Sequence, residues 1–318
     1  MLFEVLNANH VEQAAKLALC EYNEERNAVP VLPEGDYYGR FCEMLAKMTE
    51  HGLGVAAVEK GKTVGFLTCY EPRDNFFGTT PGTFSPIHGH GTEKDGRRRI
   101  YSQLYQAAAE KWVKRGILSH AVALYAHDAE ARDSFYWNGF GLRCVDAVRP
   151  LEPVARDEYP GYTFCELPKE ETSCIVPLKN GLIGHLQNTP MFMPFFFKVT
   201  AEEVSEESKK GNFRYFVANK GDRTVAYIMI TNEGENFTCD DPGTANICGA
   251  YMFPEYRGSG VYTGLLAFLI DTLAREGYSR CGVDFESFNP TAGGFWLKHF
   301  TTYTHSVVRR IDERIVKA

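Results

Sequence analysis

Asn246-Ile247-Cys248-Gly249-Ala250-Tyr251-Met252-Phe253-Pro254-Glu255-Tyr256-Arg257-Gly258-Ser259-Gly260-Val261-Tyr262, continuing to Arg275, is the stretch on which the reading of the chain turns. It opens as a short apolar segment, Ile247 to Phe253, and breaks at Pro254. The polar turn Glu255 to Gly260 then feeds a pattern in which Val261, Leu265, Leu269 and Leu273 recur every four residues. That spacing places them on one helical face. The order is strand, glycine turn, helix. The first amides of a helix have no intrahelical partner, and the macrodipole is positive at that end. Gly258 and Gly260 would let an anionic group approach those amides closely, so the stretch reads as a phosphate cradle.

Two familiar phosphate signatures do not fit. No Lys-Ser or Lys-Thr follows the glycines, and position 263, where a dinucleotide fingerprint needs a third glycine, is Thr. The segment Pro254-Glu255-Tyr256-Arg257-Gly258-Ser259-Gly260-Val261-Tyr262 instead resembles the acyl-CoA loop of the GNAT superfamily of N-acyltransferases. Arg257, Gly260 and Tyr262 stand at that loop's marked positions, and Tyr262 departs from the usual Gly or Ala. The resemblance implies that Met252, Phe253, Arg257, Gly258, Ser259, Gly260, Val261 and Tyr262 contact acetyl-CoA as cosubstrate. A backbone amide near Met252 and Phe253 would polarise the thioester carbonyl.

The 318 residues suggest two ordinary domains, and 44% hydrophobic with 24% charged residues is a globular composition. No apolar run reaches membrane-spanning length, Met191 to Phe197 being short and broken by Pro194. The Met1-Leu2-Phe3-Glu4 start has no basic leader, and nine scattered cysteines without Cys-x-x-Cys suit free thiols in a reducing compartment. The expectation is a cytoplasmic protein without a membrane partner. A net charge of −7 disfavours nucleic acid and tolerates a cationic amine substrate. Monomer and homodimer both remain open.

The chain also repeats itself. Lys62-Thr63-Val64-Gly65-Phe66 matches Arg223-Thr224-Val225-Ala226-Tyr227 at an offset of 161, and Ile100, Leu104, Ala108 and Trp112 map onto Val261, Leu265, Leu269 and Leu273. Such an offset points to two copies of one fold. The expected class is α/β: two tandem GNAT-like domains, 1–155 and 156–318, each a mixed twisted sheet flanked by helices. In the first copy, strands are expected at Phe3–Leu6, Val55–Val58, Thr63–Tyr70, Thr83–His90, Ala121–Ala126 and Leu142–Val148. Helices are expected at about Val11–Glu25, Tyr37–Met48, Arg97–Arg115 and Ala129–Trp137.

Opposite the glycine loop the first copy has Gly96-Arg97-Arg98-Arg99. Three arginines at a helix N-terminus oppose the dipole unless an anion sits among them. They read as a guanidinium clamp for an anion or as a solvated basic turn offset by Glu93 and Asp95. On either reading the first copy has lost the acyl-CoA loop and becomes a non-catalytic partner. His88, His90, His120 and His127 read as structural histidines more than as ligands, and no metal is expected.

Asn289 is the expected N-cap of a short helix, and the resemblance adds a contact with the CoA arm. The resemblance also implies a tyrosine acid on that helix, but the matching residue is Trp296, which is carried over as an acyl-CoA contact only. Acyl transfer from a thioester to an amine needs a base, a polarised carbonyl and an acid for the thiolate. Tyr303 and Tyr262 remain as candidate acids; Glu286, Asp284, Asp240 and Asp241 remain as candidate bases. The final strand carries Arg309 and Arg310 on opposite faces, one able to hold a substrate carboxylate or to pair with Asp312 or Glu313. Thr189 to Phe197 reads either as an acceptor-pocket wall or as a packing surface. The function implied is acetyl transfer from acetyl-CoA to a primary amine of a small molecule. A non-catalytic acyl-CoA sensor and a peptide or protein N-acetyltransferase remain as alternatives.

Overall fold

The computed structural model describes residues 1–211 and 213–316. The chain has a mixed α/β fold of twisted sheets flanked by helices, divided into two compact units. One unit comprises Met1–Val145 with Thr302–Ala318, the other Asp146–Thr301.

The first unit runs β1 (Leu2–Val5), α1 (Val11–Ala28), α2 (Tyr38–Thr49), β2 (Val55–Glu59), β3 (Lys62–Leu67), β4 (Gly82–Ser85), β5 (His90–Thr92), α3 (Arg97–Lys114), β6 (Ser119–Tyr125) and α4 (Ala129–Trp137). β7 (Gly141–Pro150) then carries the chain across the division at Val145 and Asp146. The β2–β3 hairpin turns through Lys60 and Gly61, both at positive φ, as a tight two-residue turn requires.

The expected single strand Thr83–His90 is two strands. β4 pairs in parallel with β6, whereas β5 pairs antiparallel with β3. Pro86 lies in the break and cannot donate to a ladder, which accounts for the interruption.

Arg97 is not part of a solvated turn. It is 4% exposed, and its guanidinium donates to the Glu24 carboxylate at 2.7 Å and to Asp128 at 3.0 Å, with Glu21 at 3.8 Å. The anion that the helix N-terminus asked for is therefore supplied by α1 and by the N-cap of α4. Arg98 and Arg99 stay outside, Arg98 lying 5.8 Å over the Trp137 ring. Three of the four histidines serve structural hydrogen bonds, and the fourth, His88, packs its ring against Phe41 and Tyr70. His90 meets the Tyr101 hydroxyl and the Ala123 carbonyl, His120 meets Tyr105 and Ile117, and His127 pairs with Glu25. Burial pushes His90 and His120 down to about 4. Among the described residues no group of His, Cys, Asp or Glu is arranged to hold a metal ion.

The second unit continues with β8 (Tyr162–Glu166), α5 (Val176–Gln187), α6 (Ala201–Lys210), β9 (Arg214–Lys220), β10 (Arg223–Thr231), β11 (Thr244–Met252), α7 (Val261–Arg275), β12 (Arg280–Glu286) and α8 (Pro290–Trp296). β8 to β11 pair antiparallel in sequence order, and β11 pairs in parallel with β12. One sheet face is covered by a core of Leu178, Val204, Tyr215, Val217, Tyr227 and Tyr251. On α7 the buried stripe holds Val261, Leu265, Leu269 and Leu273, the residues whose spacing predicts that helix. Corresponding elements keep the 161-residue offset, since Lys62 and Arg223, Ser119 and Arg280, and Ala129 and Pro290 all begin elements.

β13 (Thr301–Arg310) pairs antiparallel with β6, and Thr302 onward belongs to the first unit. There Arg309 donates to the Tyr105 hydroxyl at 3.2 Å, and Arg310 bonds Glu313 and Thr79. Both arginines thus take protein partners. No helix among the described residues is long and apolar enough to cross a membrane, and all nine cysteines are free.

Burial pushes Glu21 up to about 8 from its ordinary 4.5, against the pull of Arg97. A carboxyl raised in the folded state holds a proton that the unfolded chain has already released. Its contribution is complete below about pH 4.5 and is lost as pH rises through about 8. Urea midpoints measured across that window should fall with pH in the parent and fall less in Glu21→Gln. Equal slopes would contradict the assignment.

Candidate functional site

The second unit's site begins where two strands part. β11 and β12 pair from Thr244–Arg280 to Ile247–Val283, and there the pairing stops. β11 continues to Met252 and β12 to Glu286. Across β10 the register shifts between Ile230–Ile247 and Met229–Gly249, so Cys248 is one extra residue in β11. Such a bulge bends its strand. The Phe253 amide donates to the Val225 carbonyl at 3.1 Å and is committed to β10. By the alternation of an antiparallel ladder, the Met252 amide faces the other way, toward the opening. Of the two residues the sequence offered for this role, Met252 is the one whose amide points there.

Beyond Pro254–Tyr256, one short turn, the chain reaches Gly258 at φ 76° and Gly260 at φ 79°. No side chain caps α7; the Thr263 amide donates to the Gly260 carbonyl at 2.8 Å, and the amides of Val261 and Tyr262 are left for an outside acceptor. Arg257 folds back, donating through Nε to the Met252 carbonyl at 3.1 Å and lying 5.2 Å over the Tyr251 ring. Ser259 turns its hydroxyl to the Tyr256 carbonyl at 2.7 Å. A Cβ on Gly264 would lie 2.5 Å from the Tyr159 ring, so its bare backbone admits that ring against the helix.

Tyr262 does not crowd the amides with its hydroxyl. It donates to the Tyr227 carbonyl at 3.0 Å, and its ring packs edge-on to Phe295 and Trp296. Burial holds its phenol well above the ordinary value. The hydroxyl proton is engaged by a backbone carbonyl.

Opposite the loop, Asn289 caps α8, its Oδ1 accepting from the Ala292 amide at 3.3 Å and the Thr291 hydroxyl at 2.7 Å. His185 of α5 reaches the same pair, with Nε2 3.1 Å from Thr291 Oγ1 and 3.4 Å from Asn289 Oδ1. Together these elements enclose a cavity of about 500 Å³. Met252, Arg257, Gly258, Gly260, Tyr262, Asn289 and Trp296 line it, as do Leu182, His185, Tyr251 and Thr291, which the sequence reading does not single out. One sequence signal for His185 exists. Leu178, Leu182 and His185 follow an i, i+4, i+7 spacing, so the apolar stripe of α5 ends on an imidazole.

Other expected residues lie elsewhere. Val261 is 1% exposed in the core, and Phe253 packs against the core on the α5 face. Tyr303 lies on β13, 2% exposed, in the first unit's sheet. Asp241 holds its own loop through Arg280 at 2.5 Å and the Gly243 amide. Phe192, Phe196 and Phe197 stand exposed, and only Met191 of that stretch is buried. Glu286 ends β12, half-buried, and does not line the cavity. Asp284 is exposed to solvent and likewise does not line the cavity. The surrounding protein, with Asp146, Glu235 and Glu286, nevertheless pushes its carboxyl up to about 7.

Residues 185–300 match the model of the Acetyltransferase (GNAT) family. The match spans the loop and the cavity lining other than Leu182. A GCN5-related N-acetyltransferase from Sphaerobacter thermophilus superposes with a TM-score of 0.57 at 13% identity, covering 97% of this chain and 95% of that one. A GCN5-related glucosamine N-acetyltransferase region in a fungal multi-domain GH3 β-N-acetylglucosaminidase gives 0.54 at 13% identity, covering 96% of this chain and 38% of that one. At this identity the likeness is one of fold. No curated protein matches the chain by sequence.

Tyr262→Phe should lower stability by about 1 kcal/mol, the worth of one intramolecular hydrogen bond, in urea denaturation. An unchanged midpoint would show that the Tyr227 bond does not anchor α7.

Proposed function

We propose that the chain is an N-acetyltransferase of two GNAT-like copies, 1–155 and 156–318, whose second copy moves acetyl from acetyl-CoA to a primary amine of a small molecule. The observation that carries this is the continuity of the site: the exposed edge of β11 beyond Ile247 leads to uncapped amides at Gly258 and Gly260 along one cavity. Helix amides bind the pyrophosphate. The Met252 amide polarises the thioester carbonyl, which becomes an oxyanion during attack. The family match over 185–300 supports the same assignment.

Asp284 is the base. It lies one residue past the last β11–β12 pair, where the strands separate. A carboxylate titrating near 7 suits removal of a proton from an ammonium, and its acidic neighbours favour a cationic acceptor. The ammonium first gives one proton to Asp284, the free amine nitrogen attacks the carbonyl carbon, the nitrogen's second proton is lost to solvent, and the carbon–sulfur bond breaks. The first copy binds no acyl-CoA, because Arg97 with Glu24 and Asp128 occupies the N-terminus of α3. Trp296, lacking a hydroxyl, is the specific feature favouring a non-catalytic acyl-CoA sensor.

Thiol release from acetyl-CoA against polyamines, amino acids, aminoglycosides and peptides separates the two. Turnover with a small amine is expected; binding without turnover across the panel would establish the sensor. Calorimetry should give one acetyl-CoA per chain, and a stoichiometry of two would overturn the reading of the first copy. Asn and Asp both tolerate positive φ, so Gly258→Asp against Gly258→Asn isolates charge. The Asp variant should bind acetyl-CoA at least about tenfold more weakly than the Asn variant, since it repels the pyrophosphate. The rate should rise with pH through about 7 in the parent. Asp284→Asn should lose that limb and about 10²-fold in kcat.

A further inference from the structure

We propose that His185 gives the departing CoA sulfur its proton, in place of the hydroxyl missing at Trp296. The inference rests on the acetyl-transfer reading of the same cavity. Breaking the carbon–sulfur bond leaves the electron pair on sulfur, and a thiolate leaves far more readily when an acid protonates it. Trp296 offers only an indole N–H, and the Tyr262 hydroxyl is bonded to Tyr227. Arg257 is turned onto the Met252 carbonyl, to which its Nε donates. Histidine is the side-chain type that exchanges protons near neutral pH.

His185 is also held as a proton donor must be. The Thr291 hydroxyl donates to Asn289 Oδ1 at 2.7 Å, so its oxygen is free to accept from His185 Nε2–H at 3.1 Å. This chain fixes the ring and leaves Nδ1 as the nitrogen that loads and releases the proton. The ring lies 6.3 Å from that of Tyr251, on the edge of β11 that runs toward the Met252 amide. The imidazolium gives the Nδ1 proton to sulfur, yielding the free thiol and neutral His185, which is recharged from solvent. Asn289 and Thr291 are then positioning residues.

The thiol of bound CoA reports on its neighbour without any acceptor. Its ionisation is followed by thiolate absorbance, with the desulfo-CoA complex subtracted to remove the protein's nine cysteines. An imidazole in contact with a thiol accepts its proton, and the thiolate–imidazolium pair so formed lowers the apparent thiol pKa. The bound thiol should titrate at least about one unit below free CoA in the parent. It should return toward the free value in His185→Gln, and part-way in Thr291→Val. CoA affinity should stay within about threefold, given that His185 donates no charge to the pyrophosphate. Equal thiol midpoints in parent and His185→Gln, with both binding CoA, would overturn the proposal. So would a shift that follows Tyr251→Phe instead. Failure of the parent to bind CoA would overturn the acyl-CoA reading itself. With an acceptor from the panel, His185→Gln should lower kcat about 10²-fold at unchanged KM for acetyl-CoA. A thioester with a more acidic leaving thiol should lose less.

Discussion

The parting of β11 from β12 is the constraint on which the second unit's site depends. Parallel strands held in register to their ends would satisfy each other's amides and leave no room between them. Here the ladder ends at Ile247–Val283, and the extra residue Cys248 bends β11 while its other edge keeps pairing with β10. Three consequences follow from that one defect. The Met252 amide faces the gap, Asp284 lies where the strands separate, and β11 delivers the chain to the glycine turn at the cavity wall.

The same parting exists in the first unit, in a harsher form. Instead of one extra residue, four residues with Pro86 among them divide the strand into β4 and β5, each keeping a different partner. The helix that follows starts on Gly96 at φ 73°, much as α7 starts on Gly260. What differs is charge. Arg97 turns inward to Glu24 and Asp128, and removing one member of such a buried group costs about 3–5 kcal/mol because its partners stay behind uncompensated. A ligand seeking the α3 amides would have to displace that ion network. The second unit asks for no such displacement.

Local chemistry made much of this legible in the sequence. The strand, glycine turn and helix from Ile247 onward follow from apolar spacing and from two glycines at positive φ. Asn289 and Asp128 follow from N-cap preference, and α4 has the bounds its spacing predicts. Contacts distant in sequence were not legible. Glu24 and Arg97 are 73 positions apart, so the arginine run read as a solvated turn or an open clamp when one of its members is sealed by α1. His185 and Asn289 are 104 apart, and no local pattern ties an imidazole on α5 to a cap on α8. Pro86 lies inside the expected strand Thr83–His90, and only the two different partners reveal two strands there. For Tyr262 the departure in size from Gly or Ala is legible in the sequence, and the direction of its hydroxyl, onto the Tyr227 carbonyl, is not.

The contrast between Asp128 and Asn289 shows how little sequence change separates a sealed place from an open one. Both cap the short helix that follows a corresponding strand of their copy, β6 and β12, and each accepts an amide proton three residues on. Asp128 adds a charge, and that charge is taken up by Arg97 at the first position of α3. Asn289 caps equally well without charge, and no acidic residue stands in the first turn of α7. The positive end of that helix is therefore not neutralised from within. Capping preference alone treats the two residues as equivalent. Their electrostatic consequence is opposite: in one copy the helix end is answered by the protein's own carboxylates, and in the other it is left for an anion brought from solution.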